Sequence, residues 1–389
     1  MDKLRVRVYN VRFGDAILVS VPDRDGSKTV TRHILIDVGN VLSGVGGVDT
    51  VFEPVVRDVL KVLDGQPLDL YIMTHEHLDH VQGLFYAHTK NPLDIPVNYA
   101  WLTASAEADY YTRFPDAKKR RIAALAAYDA MEKFLAASPE TAREFPKMAA
   151  LMVNNNPRST EQCIEYLRKL AKKKTTYVYR GRDLKGRHPF KEARFSIWAP
   201  EEETTDYYGP FQPMALGVTS DGGPRARPSV TLPLPPSGVD AGAFYSLVAA
   251  RRQGYCDNML TIDAANNNTS VVFCLEWRGW KLLFPGDAEE RSWKTMNKKG
   301  VLEPVHFLKV GHHGSRNATP HTDLLEKILP KKRPDQRPRS AAVSTCLNSY
   351  PGVPHDETLN EIGQRCKLYS VLDKPLADGD YMDIFFKAE

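Results

Sequence analysis

LDLYIMTHEHLDHVQG, residues 68–83, carries an apolar run straight into four ligand-type side chains within six residues. Leu70, Tyr71, Ile72 and Met73 form a short continuous hydrophobic run, which predicts a buried strand. His75, His77, Asp79 and His80 follow as H-x-H-x-D-H. Alternate residues leaving a strand diverge, so this spacing lets His75 and His77 address one metal ion while Asp79 and His80 address a second.

Two further strand ends carry the same kind of side chain. In LLFPGDAEE (282–290) an apolar strand stops at a Pro285-Gly286 turn and presents Asp287, and in LKVGHHGS (308–315) another presents His312 and His313. Strand ends gather on one edge of a sheet, which places these residues with the metal loop. Either His312 or His313 reaches the metal while its neighbour packs or bonds to backbone; the preference is for His312.

Upstream, LRVRVYNV (4–11), AILVSV (16–21) and HILIDVG (33–39) read as a β-meander ending at Asp37. A Gly-rich turn at Gly44, Gly46 and Gly47 precedes VFEPVVRDVLKVLD (51–64), which has Val55, Val59, Leu60 and Leu63 at helical spacing. Downstream, SVVFCLEW and WKLLFPGDA (270–288) predict a hairpin turning at Arg278-Gly279. Further strands are predicted at AAVSTC and KLYSVLD, with helices after Ala288 and at DLLEKILP and DETLNEIGQRC. Two groups of strands, each accompanied by helices, predict an α/β protein built as an αββα sandwich.

Three segments follow from this reading. Residues 1–103 form the first half of the sandwich, 104–175 a basic helical insertion, and 176–389 the second half. In the insertion Asp116 is expected to cap a helix that turns Ile122, Leu125, Met131 and Leu135 inward, and Ser159 with Gln162 resembles a capping box. Between Thr204 and Gly238, seven prolines and five glycines in 35 residues have the composition of a loop or lid.

The whole chain has 389 residues, 42% hydrophobic and 26% charged, which excludes disorder, collagen and coiled coil. It has no apolar run long enough to span a bilayer, and it starts directly in strand-like sequence, so the expectation is a cytoplasmic protein with no membrane anchor. Its five cysteines never form C-x-x-C, which argues against a disulfide framework or a thiolate zinc site. Net charge is +4, yet Arg113 to Lys191 holds 19 Lys or Arg against 8 Asp or Glu. That asymmetry favours a polyanionic partner.

The succession FGDAILV, HILIDVG, THEHLDH, NNNTSVVF, LLFPGDAEE and LKVGHHGS, with Asn348, Tyr350 and His355 after it, resembles the metallo-β-lactamase superfamily. More narrowly it is similar to the branch typified by the hydrolase domain of the DNA-uptake protein ComEC. The likeness covers about residues 4–100 and 195–387, in the family's order. It implies that Asp37 is a carboxylate orienting the ligands from behind, that His75, His77, Asp79 and His80 are the metal loop, that Asp287 bridges, and that His312 or His313 is the final ligand. Many members supply one more metal histidine between the loop and the bridging aspartate; here that interval holds only His88 and His188. The membrane channel of that family has no counterpart in these residues, so the resemblance implies the hydrolase alone.

The expected cofactors are two divalent ions, Zn²⁺ or Mn²⁺, activating water for an in-line displacement at phosphorus. Asp79 would ligate and also orient the nucleophile. His355 or Lys309 would protonate the leaving oxygen or hold a phosphate, unless His355 is a loop cap and Lys309 a packed strand residue. Lys118, Lys119, Arg120 and Arg121, the run Lys172 to Lys174, Arg180, Arg182 and Arg187, and Lys331 to Arg339 offer phosphate contacts, although any one of these runs also reads as a solvated face. The leading expectation is a nuclease, with DNA favoured over RNA. The alternatives are a hydrolase of a small phosphoester, nucleotide or other ester, with the insertion as a cap, and a recruited effector whose insertion docks a protein partner or a second copy.

Overall fold

Alternating apolar residues at the start of the chain form an antiparallel meander in the computed structural model, which describes residues 2–41, 47–137, 139–209, 235, 239–252, 254–320, 322–332, 335–347 and 352–388. Its strands are β1 (Lys3–Tyr9), β2 (Ala16–Asp25) and β3 (Lys28–Val38). Then come β4 (Leu68–Ile72), β5 (Val97–Thr103), β6 (Ala171–Val178), β7 (Ala193–Ala199), β8 (Val272–Trp277) and β9 (Trp280–Phe284). The last four are β10 (Phe307–Lys309), β11 (Ser340–Val343), β12 (Lys367–Ser370) and β13 (Tyr381–Lys387). They form two mixed sheets, ordered β13-β1-β2-β3-β4-β5-β6 and β12-β11-β10-β9-β8-β7, so the protein is α/β.

The period-2 pattern decides what each face meets. Val6, Val8, Ile17, Val19, Ile34 and Ile36 share one apolar cluster with Phe273, Leu275, Leu282, Phe284 and Phe307 of the other sheet, so the sheets pack face to face. The opposite face of the first sheet, with Leu18, Leu35 and Tyr71, is covered by helices Phe52–Leu63, Leu78–Lys90 and Pro157–Arg168. The outer face of the second, with Cys274, Leu283 and Leu308, meets Trp293, Met296, Leu325, Ile328 and Ile362 from three helices. The layers are therefore helix, sheet, sheet, helix. The β8–β9 hairpin turns at Arg278 (φ 46°) and Gly279 (φ 80°), the left-handed pair such a two-residue turn needs.

The insertion is the crossover from β5 to the parallel β6, and its details differ from expectation. Ile122 and Leu125 are 57% and 36% exposed; the buried face of helix Pro115–Ala137 consists of Ala117, Ala124, Ala127, Tyr128 and Met131. Small residues there allow close approach of helix Tyr255–Asn268, whose Met259, Ile262 and Ala265 complete the cluster. Asp116 lies within the first turn and pairs with Lys119 instead of capping. The next cap is Asn156, which accepts from the amides of Arg158 and Ser159, because Pro157 starts the helix and needs no N–H partner. Strand β13 was not legible as a separate element; it pairs antiparallel with β1, where Arg7 bonds Asp383 at 2.8 Å.

Most of the Pro/Gly-rich stretch and the turn at residues 42–46 lie outside the described residues. Among the described residues no helix is long and apolar enough to cross a membrane. All five cysteines are free, and four of them are buried.

Gly39, just beyond β3, ties this frame to the His75–His80 loop. Its amide donates to Asp15 O at 3.0 Å, and a Cβ there would stand inside the backbone of Asp79 and His80. Gly39→Ala is expected to cost about 1–3 kcal/mol through overpacking, read as a lower urea midpoint. Unchanged stability would show that the loop has room to retreat.

Candidate metal centre

Both sheets bring the C-terminal ends of parallel strands to one edge, the position where α/β proteins place ligands. Asp37 lies at the end of β3, Thr74 to His80 follow β4, Asp287 follows β9, His312 and His313 follow β10, and Ser344 follows β11. Asp37, His312 and His313 take left-handed φ values of 51°, 45° and 54°. Such conformations cost non-glycine residues about 1–3 kcal/mol each and persist where packing over-determines them.

Each inner histidine has its outer nitrogen occupied, which fixes the tautomer of the neutral ring. The Thr74 hydroxyl donates to Asp37 Oδ2 at 2.6 Å, so its oxygen is left to accept from His75 Nδ1 at 3.1 Å. His80 Nδ1 donates to Asp37 Oδ2 at 2.8 Å, His313 Nδ1 to Ser344 O at 3.2 Å, and His77 Nε2 to Asn155 Oδ1 at 2.9 Å. The inner nitrogens are then bare lone pairs. His75 Nε2 and His77 Nδ1 stand 3.1 Å apart, His80 Nε2 is 3.2 Å from Asp287 Oδ2, and His313 Nε2 is 3.3 Å from Asp79 Oδ2. Asp79 Oδ1 is buried without a hydrogen-bond partner. Acceptors facing acceptors in a buried space call for cations or protons between them.

The possible ligand atoms fall into two groups, Asp79, His80, Asp287 and His313, and His75, His77 and Asp79, each with its atoms within 4.8 Å of one another. All six residues are buried. These groups could hold a metal ion. Without one, electrostatics falls to protons. Burial opposes charge on His80, but Asp287, Asp79 and Asp37 outweigh it and hold its pKa well above the ordinary 6.5. Burial likewise disfavours ionised Asp79 and Asp287, yet the neighbouring imidazoles prevail, His80 foremost, and keep both pKa values low. For His75, burial and then the charges of His80 and His77 push the pKa well below 6.5.

The remaining expected residues are distributed unevenly. Of the adjacent pair it is His313 whose ring joins the group, correcting the preference for His312. The backbone turns the His312 ring aside, its amide donates to Asp287 Oδ1 at 3.0 Å, and its Nδ1 faces Glu289 at 3.8 Å. Lys309 is buried, and its ammonium bonds Asp15 at 2.7 Å and Val310 O at 3.1 Å, which makes it a packed strand residue and not a group open to a leaving oxygen. His355 is the N-cap of helix Asp356–Gly363, accepting from Thr358 N, and so has the capping role its alternative reading gave it. Asn348 and Tyr350 lie outside the described residues. His88 bonds Asp94 on the surface, and His188 packs on Trp101 and Phe195; neither belongs to the two groups.

Among the basic residues, Lys118, Lys119 and Arg120 are exposed, as are Lys172, Lys173 and Lys174 along the edge strand β6. Others turn inward. Arg121 bonds the Tyr111 hydroxyl and lies 3.7 Å from Glu76, Arg180 pairs with Glu201 and Arg182 reaches Tyr179, whereas Arg187 donates to Asp183 O at the surface. Residues not anticipated include Thr74, Ser344, Asn154, Asn155 and Asp263. The available signal was a pair of asparagine triplets, 154–156 and 266–268, each at the end of a helix.

No protein-family model matches the chain, and no curated protein does either.

A cation entering between Asp79, His80, Asp287 and His313 displaces the proton those carboxylates hold on His80, so uptake should release protons and affinity should rise with pH. In the metal-free protein the sign is separate for each group. The stabilising contribution of His80 is complete below pH 6.5 and is lost as pH rises through its raised pKa, whereas that of Asp79 and Asp287 is present above their ordinary 3.8 and is lost as pH falls below it. Calorimetry in buffers of differing ionisation enthalpy measures the proton release. In the same titration His313→Ala is expected to weaken binding strongly and His312→Ala to leave it nearly unchanged; the reverse order would move the ligand to His312.

Proposed function

We propose that this chain is a metal-dependent hydrolase of the metallo-β-lactamase fold that cleaves phosphodiester bonds, a nuclease with DNA as its first substrate. The observation that carries the reading is Asp79, which belongs to both ligand groups and so favours two ions side by side. The layer order and the placement of the groups at the strand ends support the fold assignment. Imidazole with carboxylate suits zinc and tolerates manganese.

His75, His77 and Asp79 would hold one ion, and Asp79, His80, Asp287 and His313 the other. Two divalent ions so held supply Lewis-acid stabilisation to phosphoryl oxygens and lower the pKa of water toward neutrality. The chain's own part is to hold each ring by its outer nitrogen, through Thr74, Asp37, Ser344 and Asn155, so that the inner nitrogens face the ions. Exposed Lys118, Lys119 and Arg120 and the lysines of β6 supply sequence-independent attraction for a phosphate backbone.

With Zn²⁺ or Mn²⁺, the protein should cleave single- or double-stranded DNA, and Asp79→Asn or His80→Ala should lower the rate more than about 100-fold, beyond what loss of an outer partner costs. Full cleavage by either variant would end the claim. The inward turn of Arg121 and Arg180 favours a second reading, a small phosphoester as substrate. Salt separates the two: KM for a polyanion rises steeply with ionic strength, and KM for a small ester changes little.

A further inference from the structure

We propose that Asn155, held by Asp263, is the positioning residue that fixes the tautomer of His77 and thereby makes the helical insertion part of the metal centre. The inference rests on the metal reading of the site, but its geometry is independent of any ion.

The amide of Asn155 has one sensible orientation. Its Nδ2 donates to Leu151 O at 3.1 Å and to Asp263 Oδ1 at 2.8 Å, both pure acceptors, which turns Oδ1 toward His77 Nε2 at 2.9 Å. A second donor, Asn266 Nδ2, reaches the same oxygen at 3.1 Å. An oxygen so placed only accepts, so His77 must carry its hydrogen on Nε2, and Nδ1 is left bare toward His75. The carboxylate of Asp263 lies 3.6 Å from the same Nε2 and reinforces the choice.

The neighbouring residue anchors the loop backbone. His77 is the N-cap of helix Leu78–Lys90 but makes no side-chain cap, and Asn154 Oδ1 accepts from the amide of Asp79 at 3.0 Å instead. An orphan helix donor is thus capped from another part of the chain. Asn154 and Asn155 come from the β5–β6 crossover and Asp263 from helix Tyr255–Asn268, two pieces joined by the small-residue cluster around Ala124 and Ile262.

The test uses the full-length protein with ¹⁵N-labelled histidine. Long-range ¹H–¹⁵N spectra of the metal-free protein should show His77 protonated on Nε2; Asn155→Ala and Asp263→Ala should shift it toward the other tautomer, while Asp263→Asn, which keeps an oxygen toward Asn155, retains it. Zn²⁺ titration against a chelator should then show affinity reduced about 10–100-fold in the alanine variants alone. An Nε2–H tautomer that survives Asn155→Ala, or unchanged affinity in a variant whose tautomer has shifted, would overturn the proposal. Wild-type protein that binds no Zn²⁺ would instead overturn the metal reading, with the tautomer result standing separately. Circular dichroism checks folding, and the Asp263→Asn variant keeps the test decisive if an alanine variant unfolds.

Discussion

Asp37 accepts three hydrogen bonds, from the Thr74 amide, the Thr74 hydroxyl and His80 Nδ1, and the inner geometry of the cluster follows from them. Burial pushes its pKa above the ordinary 3.8, and the charge of His80 and these bonds counter only part of that rise. By taking the hydroxyl hydrogen, Asp37 makes Thr74 an acceptor for His75; by accepting from His80 Nδ1, it turns His80 Nε2 toward Asp287. One carboxylate at a strand end thus sets two imidazoles. Its left-handed backbone is the local strain that such placement demands, and the packed sheet edge sustains it.

The fold serves this arrangement by letting backbones approach closely where side chains would keep them apart. Gly39 lies against the backbone of Asp79 and His80, and Gly286, with φ of 56°, sits so near Ser270 and Thr74 that a Cβ would crowd both. The two sheets meet through one shared apolar cluster, so their ends hold a fixed separation. Buried Lys309 belongs to the same framework: the backbone of its partner Asp15 accepts a hydrogen bond from Gly39 and donates one to Asp79 O, which ties the second sheet to the His75–His80 loop.

Charge along the sequence and charge on the surface are different quantities. The excess between Arg113 and Lys191 is real, but several of its arginines answer acidic or carbonyl partners inside the fold. Exposed basic side chains include Lys118, Lys119 and Arg120 at the start of helix Pro115–Ala137 and Lys172 to Lys174 along β6. Edge strands carrying lysines also resist pairing with other chains, so those side chains suit a phosphate surface and a protected edge equally.

Local pattern sufficed for the meander, the β8–β9 hairpin, the helix after residue 51 and the identity of His75, His77, Asp79, His80 and Asp287, because period and spacing are properties of adjacent residues. The choice between His312 and His313 was not local: it depends on which ring the turn directs toward Asp79, a residue 234 positions away in the sequence. Exposure of Ile122 and Leu125 also depended on a distant helix, since alanines pack there more closely than leucines. Asn155 and Asp263 are ordinary polar residues by themselves, and only packing brings them to His77. Sequence alone thus determined which side chains could hold a metal ion, except for the choice between His312 and His313, and roughly where the strands end. Tertiary structure decided which nitrogen of each ring faces inward, because a tautomer is set by partners that the chain supplies from far away.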